Sequence, residues 1–186
     1  MDVFEAIFRR QSVPKVLPDP IPRELIEKLL AAAAQAPNHY KVRPWRFFVL
    51  TGAARNRLGD VLAESLARRI PESTPAALEK ERGRPLRAPV VIAVAVDLPA
   101  DSRVIETENI SAASAAVQNM LLAATALGLG AMWRTGQPAY NPDVKAFFGL
   151  APEQHLIGFV YVGYPAEPPE PPQRPSFEDR TTWLDE

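Results

Sequence analysis

The segment from about Glu106 to Leu127 constrains the fold more than any other part of the chain. Its apolar and small residues lie on almost every side of a helix rather than along one stripe. A helix without a polar face has to lie inside a core or between subunits. Because Gln118 and Asn119 interrupt the run and alanine dominates where leucine would be expected, a transmembrane helix is disfavoured. We therefore expect a layered fold with this helix at its centre.

Four apolar or aromatic segments predict the strands of that fold. The runs APVVIAVAVD (88–97) and LIGFVYVGY (156–164) are nearly continuous in β-branched and aromatic residues, which is typical of strands buried on both faces. WRFFVL (45–50) predicts a shorter strand, and GLGAMWRTG (128–136) predicts a turn, a strand and a second turn. Helical spacing further predicts helices over 2–10, from Pro22 towards Pro37, over 53–70 and over 142–148.

The order of these elements predicts an α+β fold in a single domain over 1–186. Six of the 20 prolines fall between Pro165 and Pro175, so the C-terminal 164–186 should form an extended arm rather than a helix or a central strand. The N-terminus MDVFEAIFRR lacks the apolar run of a signal peptide, so we expect a cytoplasmic protein.

Composition excludes several classes of function. The chain has no cysteine and only two histidines, His39 and His155, which argues against thiol chemistry and against a multi-histidine metal centre. A net charge of −1 argues against a general nucleic-acid or membrane binder. Arginines at 55, 57, 68, 69, 82, 84 and 87 alternate with glutamates, which favours a solvated mixed surface over a nucleic-acid groove. Ser12 and His39 make a poor hydrolase pair, because no acid is implied beside them.

Three polar segments are candidates for a binding site. The first, Arg9-Arg10-Gln11-Ser12, offers guanidinium groups suited to a phosphate, although cations at the end of a helix also serve as a cap. The second is the loop from Gln35 to Arg43, which carries His39, Tyr40, Lys41 and Arg43 between two prolines and is either a binding loop or a basic solvated one.

The third candidate is GLGAMWRTG. Its glycines permit positive φ or a close approach to a ligand, and Trp133 and Arg134 should point to opposite sides of the strand. The alternative is an edge strand with one core tryptophan. Because no third glycine opens a helix here, the segment does not predict a dinucleotide-binding fold.

Taken together and in this order, these segments resemble the nitroreductase family, especially its compact YdjA-like subgroup. The resemblance covers essentially the whole chain and rests on FRRQSV, QAPNHYKVRPWRFFVLTG, RAPVVIAVAV, SAASAAVQNMLLAATALGLGAMWRTG and HLIGFVYVGYP. It implies an α+β fold around a mixed sheet, and an intertwined homodimer in which the arm wraps around the partner. Two FMN molecules would lie at the subunit interface, each touched by both chains.

The resemblance also implies the residues that bind FMN, at least one of them acting across the dimer. These are Arg9, Arg10, Gln11 and Ser12 in the first segment, Gln35 and His39 in the second, and Trp133, Arg134, Thr135 and Gly136 in the third. Arg134 is implied as a phosphate partner.

The sequence departs from the family pattern Arg-Arg-Ser-x-Arg in its first segment. Gln11 replaces the serine, so either Ser12 takes the hydroxyl's role or Lys15 stands in for the missing arginine. Gln35 occupies a position where relatives can carry arginine. Lys15, Lys41 and Arg43 are candidates for the cation that stabilises reduced flavin.

By the same resemblance, NADH or NADPH would deliver hydride to flavin N5, and a small-molecule oxidant such as a nitroaromatic or a quinone would then use the same site in a ping-pong cycle. No side chain is required as a nucleophile, no metal is expected, and neither nucleic acid nor membrane is an expected partner. The alternatives are other flavin chemistry on this fold (enone reduction, dehydrogenation or reductive dehalogenation) and a non-catalytic flavin-binding protein.

Overall fold

A four-stranded sheet forms the centre of the computed structural model, which describes residues 1–100, 102–170 and 172–184. The strands are β1 (Trp45–Leu50), β2 (Val90–Val96), β3 (Gly130–Arg134) and β4 (His155–Gly163). Their order is β1-β2-β4-β3, and all three pairings are antiparallel. The α+β fold and all four predicted strands are confirmed. A parallel pairing, which a mixed sheet would require, does not occur among these strands.

Seven helices surround the sheet within the described residues. They are α1 (Val3–Arg9), α2 (Arg23–Ala33), α3 (Ala53–Arg69), α4 (Pro75–Arg82), α5 (Glu106–Ala126), α6 (Gln137–Tyr140) and α7 (Pro142–Phe147). Five of them match the sequence prediction, whereas α4 and α6 were not predicted. Each of these two is short and has a proline in its first turn, where the missing N–H costs no hydrogen bond.

Strand β2 is the most deeply buried element, as its unbroken apolar run predicts. Each of its seven residues is at most 1% exposed, because helices cover both faces of the sheet and strands flank it on both edges. Burying one valine or isoleucine side chain stabilises a fold by about 1.5–3 kcal/mol. The strand therefore accounts for a large share of the burial energy that fixes the positions of β1 and β4.

The alternation of side chains along the strands divides the core into two layers. One face of the sheet, with Ile92 and Val160, packs against α2 and α5. The other face, with Ala93 and Phe159, packs against α3 and α7. The long helix α5 is thus central, as predicted, yet within one chain it keeps an accessible side on which Gln118 is exposed.

The α5 segment does not have the character of a membrane span. Over the described residues, no helix has the length and hydropathy that crossing a bilayer requires.

The start of the C-terminal arm lies against residues 15–16 of its own chain, which follow the first polar segment. A bridge joins Pro165 to Val16, and the N–H of Ala166 donates to the carbonyl of Lys15 at 3.2 Å. Only one short 3-10 turn, Glu178–Arg180, occurs in the described part of the arm, as its prolines predict. Residues 171, 185 and 186 of the predicted arm lie outside the described residues.

Candidate functional site

The first candidate segment lies at the end of α1, where the chain turns towards the arm. Arg9 pairs with Glu5 at 3.1 Å and is exposed. Arg10 is half-buried, and its carbonyl oxygen accepts a hydrogen bond from Arg174 Nη2 at 2.7 Å. The Gln11 amide donates to the carbonyl of Glu170, which holds the arm against this segment. The structure therefore brings Arg10 and Gln11 together with Arg174, whereas the charge of Arg9 is already balanced.

The guanidinium of Arg174, bonded to the Arg10 carbonyl, lies close enough to the Arg10 side chain for the two positive charges to repel one another. Burial lowers the pKa of Arg10, and the positive charge of Arg174 lowers it further. A partly buried cation held beside a second cation is unfavourable unless an anion neutralises both. The arrangement is therefore suited to a compact dianion such as a phosphate group.

The second candidate segment forms a strained loop after α2. Tyr40, Lys41 and Arg43 all adopt positive φ, at 48°, 57° and 51°. Non-glycine residues hold this conformation only where the surroundings enforce it, and such strain is often found at functional sites. The side chain of Asn38 helps to hold this conformation. Its oxygen accepts a hydrogen bond from the N–H of Arg43 at 2.8 Å, and its amide donates to the carbonyl of Ala36.

His39 connects this loop to the first turn of α5. Its Nδ1 lies 2.7 Å from Glu108 Oε2, and its ring stacks on Tyr40 with centroids 4.2 Å apart. The hydrogen bond with His39 is the main cause that lowers the pKa of Glu108. Gln35, also predicted as a site residue, is exposed just beyond the end of α2.

The third candidate segment is fixed by its pairing with a bulged part of β4. The register of β2 and β4 shifts between Val94 and Ala95, opposite Gly158. Gly158 has a φ of +140°, and a Cβ there would lie 2.5 Å from the Arg134 carbonyl and 2.6 Å from Trp133 Nε1. This close approach lets the Trp133 indole donate to the Ile157 carbonyl at 3.2 Å.

Trp133 and Arg134 point to opposite faces of the sheet, as the strand periodicity predicts. Trp133 packs beside the α2 and α5 layer, and an open cleft next to it is bounded by Thr135, Tyr140 and His155. Arg134 instead extends to the other face, where its guanidinium lies 5.3 Å from the centre of the Tyr161 ring. Gly136, at the start of α6, adopts a φ of +95° that favours glycine.

Within one chain, several of the predicted site residues lie in two groups at opposite ends of α5. His39 contacts Glu108 near the N-terminal end, and the cleft beside Trp133 includes Ser114. Arg9 and Gln11 instead share a cleft with Thr125 at the C-terminal end. The 17 positions from Glu108 to Thr125 correspond to about 25 Å of helix. The structure therefore does not bring all predicted residues onto one surface of a single chain, and Ser12, which is exposed, lies far from His39.

Three contributors to the site were missed by reasoning from the sequence. Arg174 lies within the proline-rich arm, which was predicted only to be extended, and Glu108 was not among the predicted site residues. Gly158 stands in an apolar strand, where an isolated glycine indicates a bulge or a close backbone approach and could have been recognised.

Comparisons with known proteins agree with this fold. The family model described as "Nitroreductase family" matches residues 7–164. The Escherichia coli K12 protein named "Putative NAD(P)H nitroreductase YdjA" is 34% identical over 166 residues, which cover 89% of each chain. The crystal structure of a nitroreductase-like family protein from Bacillus cereus superposes with a TM-score of 0.84 at 26% identity, covering 100% of this chain and 97% of that one.

A second solved structure contains a cofactor. It is described as a putative nitroreductase in complex with FMN from Desulfovibrio desulfuricans, with a TM-score of 0.75, 29% identity, and coverage of 100% of this chain and 97% of that one.

Proposed function

Because the chain belongs to the nitroreductase family, we propose that it is an FMN-dependent oxidoreductase that takes electrons from NADH or NADPH. The electrons pass to a small oxidised substrate, such as a nitroaromatic compound or a quinone, in a ping-pong cycle. When bound, FMN supplies the chemistry of accepting and donating hydride. The side chains of the protein bind, orient and tune that group, and none acts as a nucleophile.

The observation that carries this proposal is the approach of Arg174 to Arg10. Two cations that no carboxylate among the described residues neutralises, one of them half-buried, fit the terminal phosphate of FMN. Gln11, held to the arm by its bond to Glu170, would offer a neutral contact in place of the family's serine. Arg9 is less suited to the phosphate because Glu5 already neutralises it.

The segment Trp133 to Gly136 would hold the flavin ring, and the cleft beside it would receive the nicotinamide and then the oxidant. That cleft has a volume of about 340 Å³ and is lined by both apolar and polar groups, including Ile110, Tyr140 and Lys145. An open cleft that offers both apolar surface and polar groups suits several flat substrates in turn. One shared cleft is the physical basis of the ping-pong order.

A second copy of the chain would complete the site. The two groups of predicted residues lie about 25 Å apart along α5, so an antiparallel partner would bring its own His39 and Gln35 towards the Arg10 group. Helix α1 leaves Phe4 and Phe8 each 68% exposed, and Trp183 in the arm is 76% exposed. Apolar patches of this kind are typical of subunit interfaces, and we propose that the homodimer covers them.

Steady-state kinetics with NADH and NADPH against a panel of nitroaromatics, quinones and halogenated phenols test the proposal. Double-reciprocal plots at several oxidant concentrations should give parallel lines, as a ping-pong cycle with one shared site requires. Intersecting lines would contradict the shared site, and absence of turnover with every pair would contradict the reductase assignment.

A further inference from the structure

The cleft beside Trp133, where the proposed function places the oxidant, carries a lysine that no carboxylate neutralises. Lys145 lies in the last turn of α7 and is half-buried where it lines this cleft. Its Nζ donates to the carbonyl of Pro152 at 2.7 Å. Within the described part of the chain, no carboxylate forms an ion pair with Lys145, so its positive charge can attract an anionic ligand.

The charged groups around Lys145 already have partners. Among the described residues that line the cleft, the other basic side chain is His155, which contacts Glu106, and Glu106 itself does not line the cleft. Asp143 lies two positions before Lys145 but bonds to Arg68 at 2.7 Å, and this bond is the main cause that lowers the pKa of Asp143. Lys145 therefore supplies the uncompensated positive charge of the lining.

The position of Lys145 leaves donors for a ligand. A lysine ammonium group has three N–H donors, and the Pro152 carbonyl accepts only one of them. This bond holds the side chain against the turn that follows α7, and two donors remain for an acceptor in the cleft. Hydrogen bonds between an ammonium group and an anionic oxygen are about twice as strong as those between neutral groups. The preferred acceptor is therefore an anion such as a carboxylate.

The aromatic residues of the lining suit a flat ring. Tyr140 lies on the short helix α6, and 71% of it is exposed. The indole N–H of Trp133 is already bonded to the Ile157 carbonyl, so Trp133 offers the cleft its apolar ring surface. Rings of this kind stack against other aromatic rings. A volume of about 340 Å³ lies near the lower end of ligand pockets, which suits one substituted ring better than a dinucleotide with its phosphates.

We propose, on the basis of the proposed function, that this cleft selects aromatic oxidants that carry an anionic group, such as nitrobenzoates. Lys145 binds the anionic group, while Tyr140 and Trp133 contact the ring. The reaction is otherwise that of the proposed function. One NADH or NADPH is oxidised and one proton is consumed, while the nitro group becomes a nitroso group and water is released.

The test compares 4-nitrobenzoate with 4-nitrobenzamide, which has nearly the same shape but no charge. The intrinsic reactivity of each compound is the same in every variant, so a change in the ratio of their kcat/KM values reports recognition of the charge. We expect Lys145→Gln to lower the ratio of 4-nitrobenzoate to 4-nitrobenzamide about tenfold, which is about 1.4 kcal/mol. An unchanged ratio would overturn the proposal.

Two further variants separate charge from structure. Lys80→Gln is the matched control, because Lys80 is an exposed lysine in the last turn of α4 that does not line the cleft. It should keep the wild-type ratio. Lys145→Arg keeps the positive charge and should keep most of the preference. Equal losses in Lys145→Arg and Lys145→Gln would mean that only the bond to Pro152 matters, and this too would overturn the proposal.

The donor and the oxidant share the cleft, so the kinetics must show which of them Lys145 binds. In a ping-pong cycle, the kcat/KM for the donor and that for the oxidant are measured independently. A loss of kcat/KM for NADPH in Lys145→Gln, with an unchanged ratio for the two nitro compounds, would place Lys145 at the phosphates of the donor and contradict the proposal.

Binding without turnover distinguishes a failure of this inference from a failure of the proposed function. Isothermal titration calorimetry uses benzoate and benzamide, which have no nitro group to be reduced. We expect benzoate to bind more weakly to Lys145→Gln than to the wild type or to Lys80→Gln. Equal benzoate affinities, or no binding of benzoate, would overturn the charged site even if nitro compounds are reduced. If no nitro compound is reduced, the proposed function fails, while the benzoate titration still decides on the charged site.

Discussion

Arg10 and Arg174 are 164 positions apart in the chain, yet the guanidinium of Arg174 bonds to the Arg10 carbonyl. The contact has two consequences at the scale of single residues. It fixes the arm to the end of α1, and it holds a second positive charge near that of Arg10. The two positive charges repel one another, so an anion that binds beside them is stabilised by relieving this repulsion.

Removal of one of these charges should weaken FMN binding. We expect Arg174→Gln to lower the affinity for FMN by about tenfold or more, because a charge-assisted hydrogen bond contributes about 1.5–3 kcal/mol. Quenching of flavin fluorescence during titration of the apoprotein measures the affinity. Arg180→Gln, in the same arm but paired with Asp179, is the control and should bind FMN normally. Equal affinity of all three proteins would exclude Arg174 from the phosphate site.

Gly158 should tolerate no side chain. Its Cβ would collide with a backbone carbonyl 2.5 Å away, so we expect Gly158→Ala to lower the free energy of unfolding by about 2–4 kcal/mol. Gly149 also has a positive φ, of 66°, but a Cβ added there meets no atom within 4 Å. Gly149→Ala should therefore lower the free energy of unfolding by only about 1 kcal/mol. Urea denaturation compares them, and equal losses would show that the clash is relieved by movement of β3.

The residue-scale picture was only partly predictable. The pair Arg9-Arg10 is evident in the sequence, but only the structure distinguishes them, because Glu5 neutralises one and Arg174 faces the other. No sequence pattern predicts a contact between residues 10 and 174, and the prolines of the arm do not indicate which of its residues contacts the end of α1.

At the scale of elements, the first turn of α5 joins the two histidines of the chain to the rest of the fold. Glu108 contacts His39 in the strained loop, and Glu106 contacts His155 at the start of β4. Both glutamates lie in the first turn of the helix, where their negative charge also complements the helix dipole. Their second role, holding a loop and a strand against the helix, depends on tertiary contacts that the sequence does not reveal.

The contact between Glu108 and His39 should make stability depend on acid pH. The hydrogen bond lowers the pKa of Glu108 below its usual value in the folded state. A depressed carboxyl pKa stabilises the fold above the unfolded value near 4.5 and loses that contribution as the pH falls through the folded value.

We therefore expect the melting temperature of the wild type to fall more steeply below about pH 4.5 than that of Glu108→Gln. Glu153→Gln, an exposed substitution elsewhere, should keep the wild-type slope. Identical slopes for all three proteins would mean that the contact with His39 does not persist in solution.

The sequence predicted the helices and strands whose hydrophobic pattern is long or continuous, and it missed those whose pattern is short. The unbroken apolar run of β2 and the length of α5 leave few alternatives. The helices that were not predicted, α4 and α6, have eight and four residues. Each has a proline in its first turn, and a proline in so short a segment is also typical of a loop.

At the scale of the whole molecule, the separation of the two groups along α5 is the main feature. One chain presents Arg10 with the arm at one end and His39 with Trp133 at the other. We expect the functional unit to be a homodimer in which each site takes one group from each copy.

Mixed dimers test this arrangement. Arg10→Gln and His39→Ala should each impair both sites of a homodimer, but a hybrid contains one site with both changes and one with neither. Denaturing and refolding the two variants together should restore about a quarter of wild-type activity, since half of the dimers are hybrids with one intact site. Refolding each variant alone is the control. No recovery in the mixture would place both residues in the same chain's site.

The most direct test of the central claim is the visible absorption spectrum of the purified protein during anaerobic addition of NADPH and then of NADH. A yellow protein whose flavin bands bleach with either donor is the result that the FMN-dependent oxidoreductase assignment predicts. A colourless protein that also fails to take up added FMN, or a yellow one that neither donor bleaches, would contradict it.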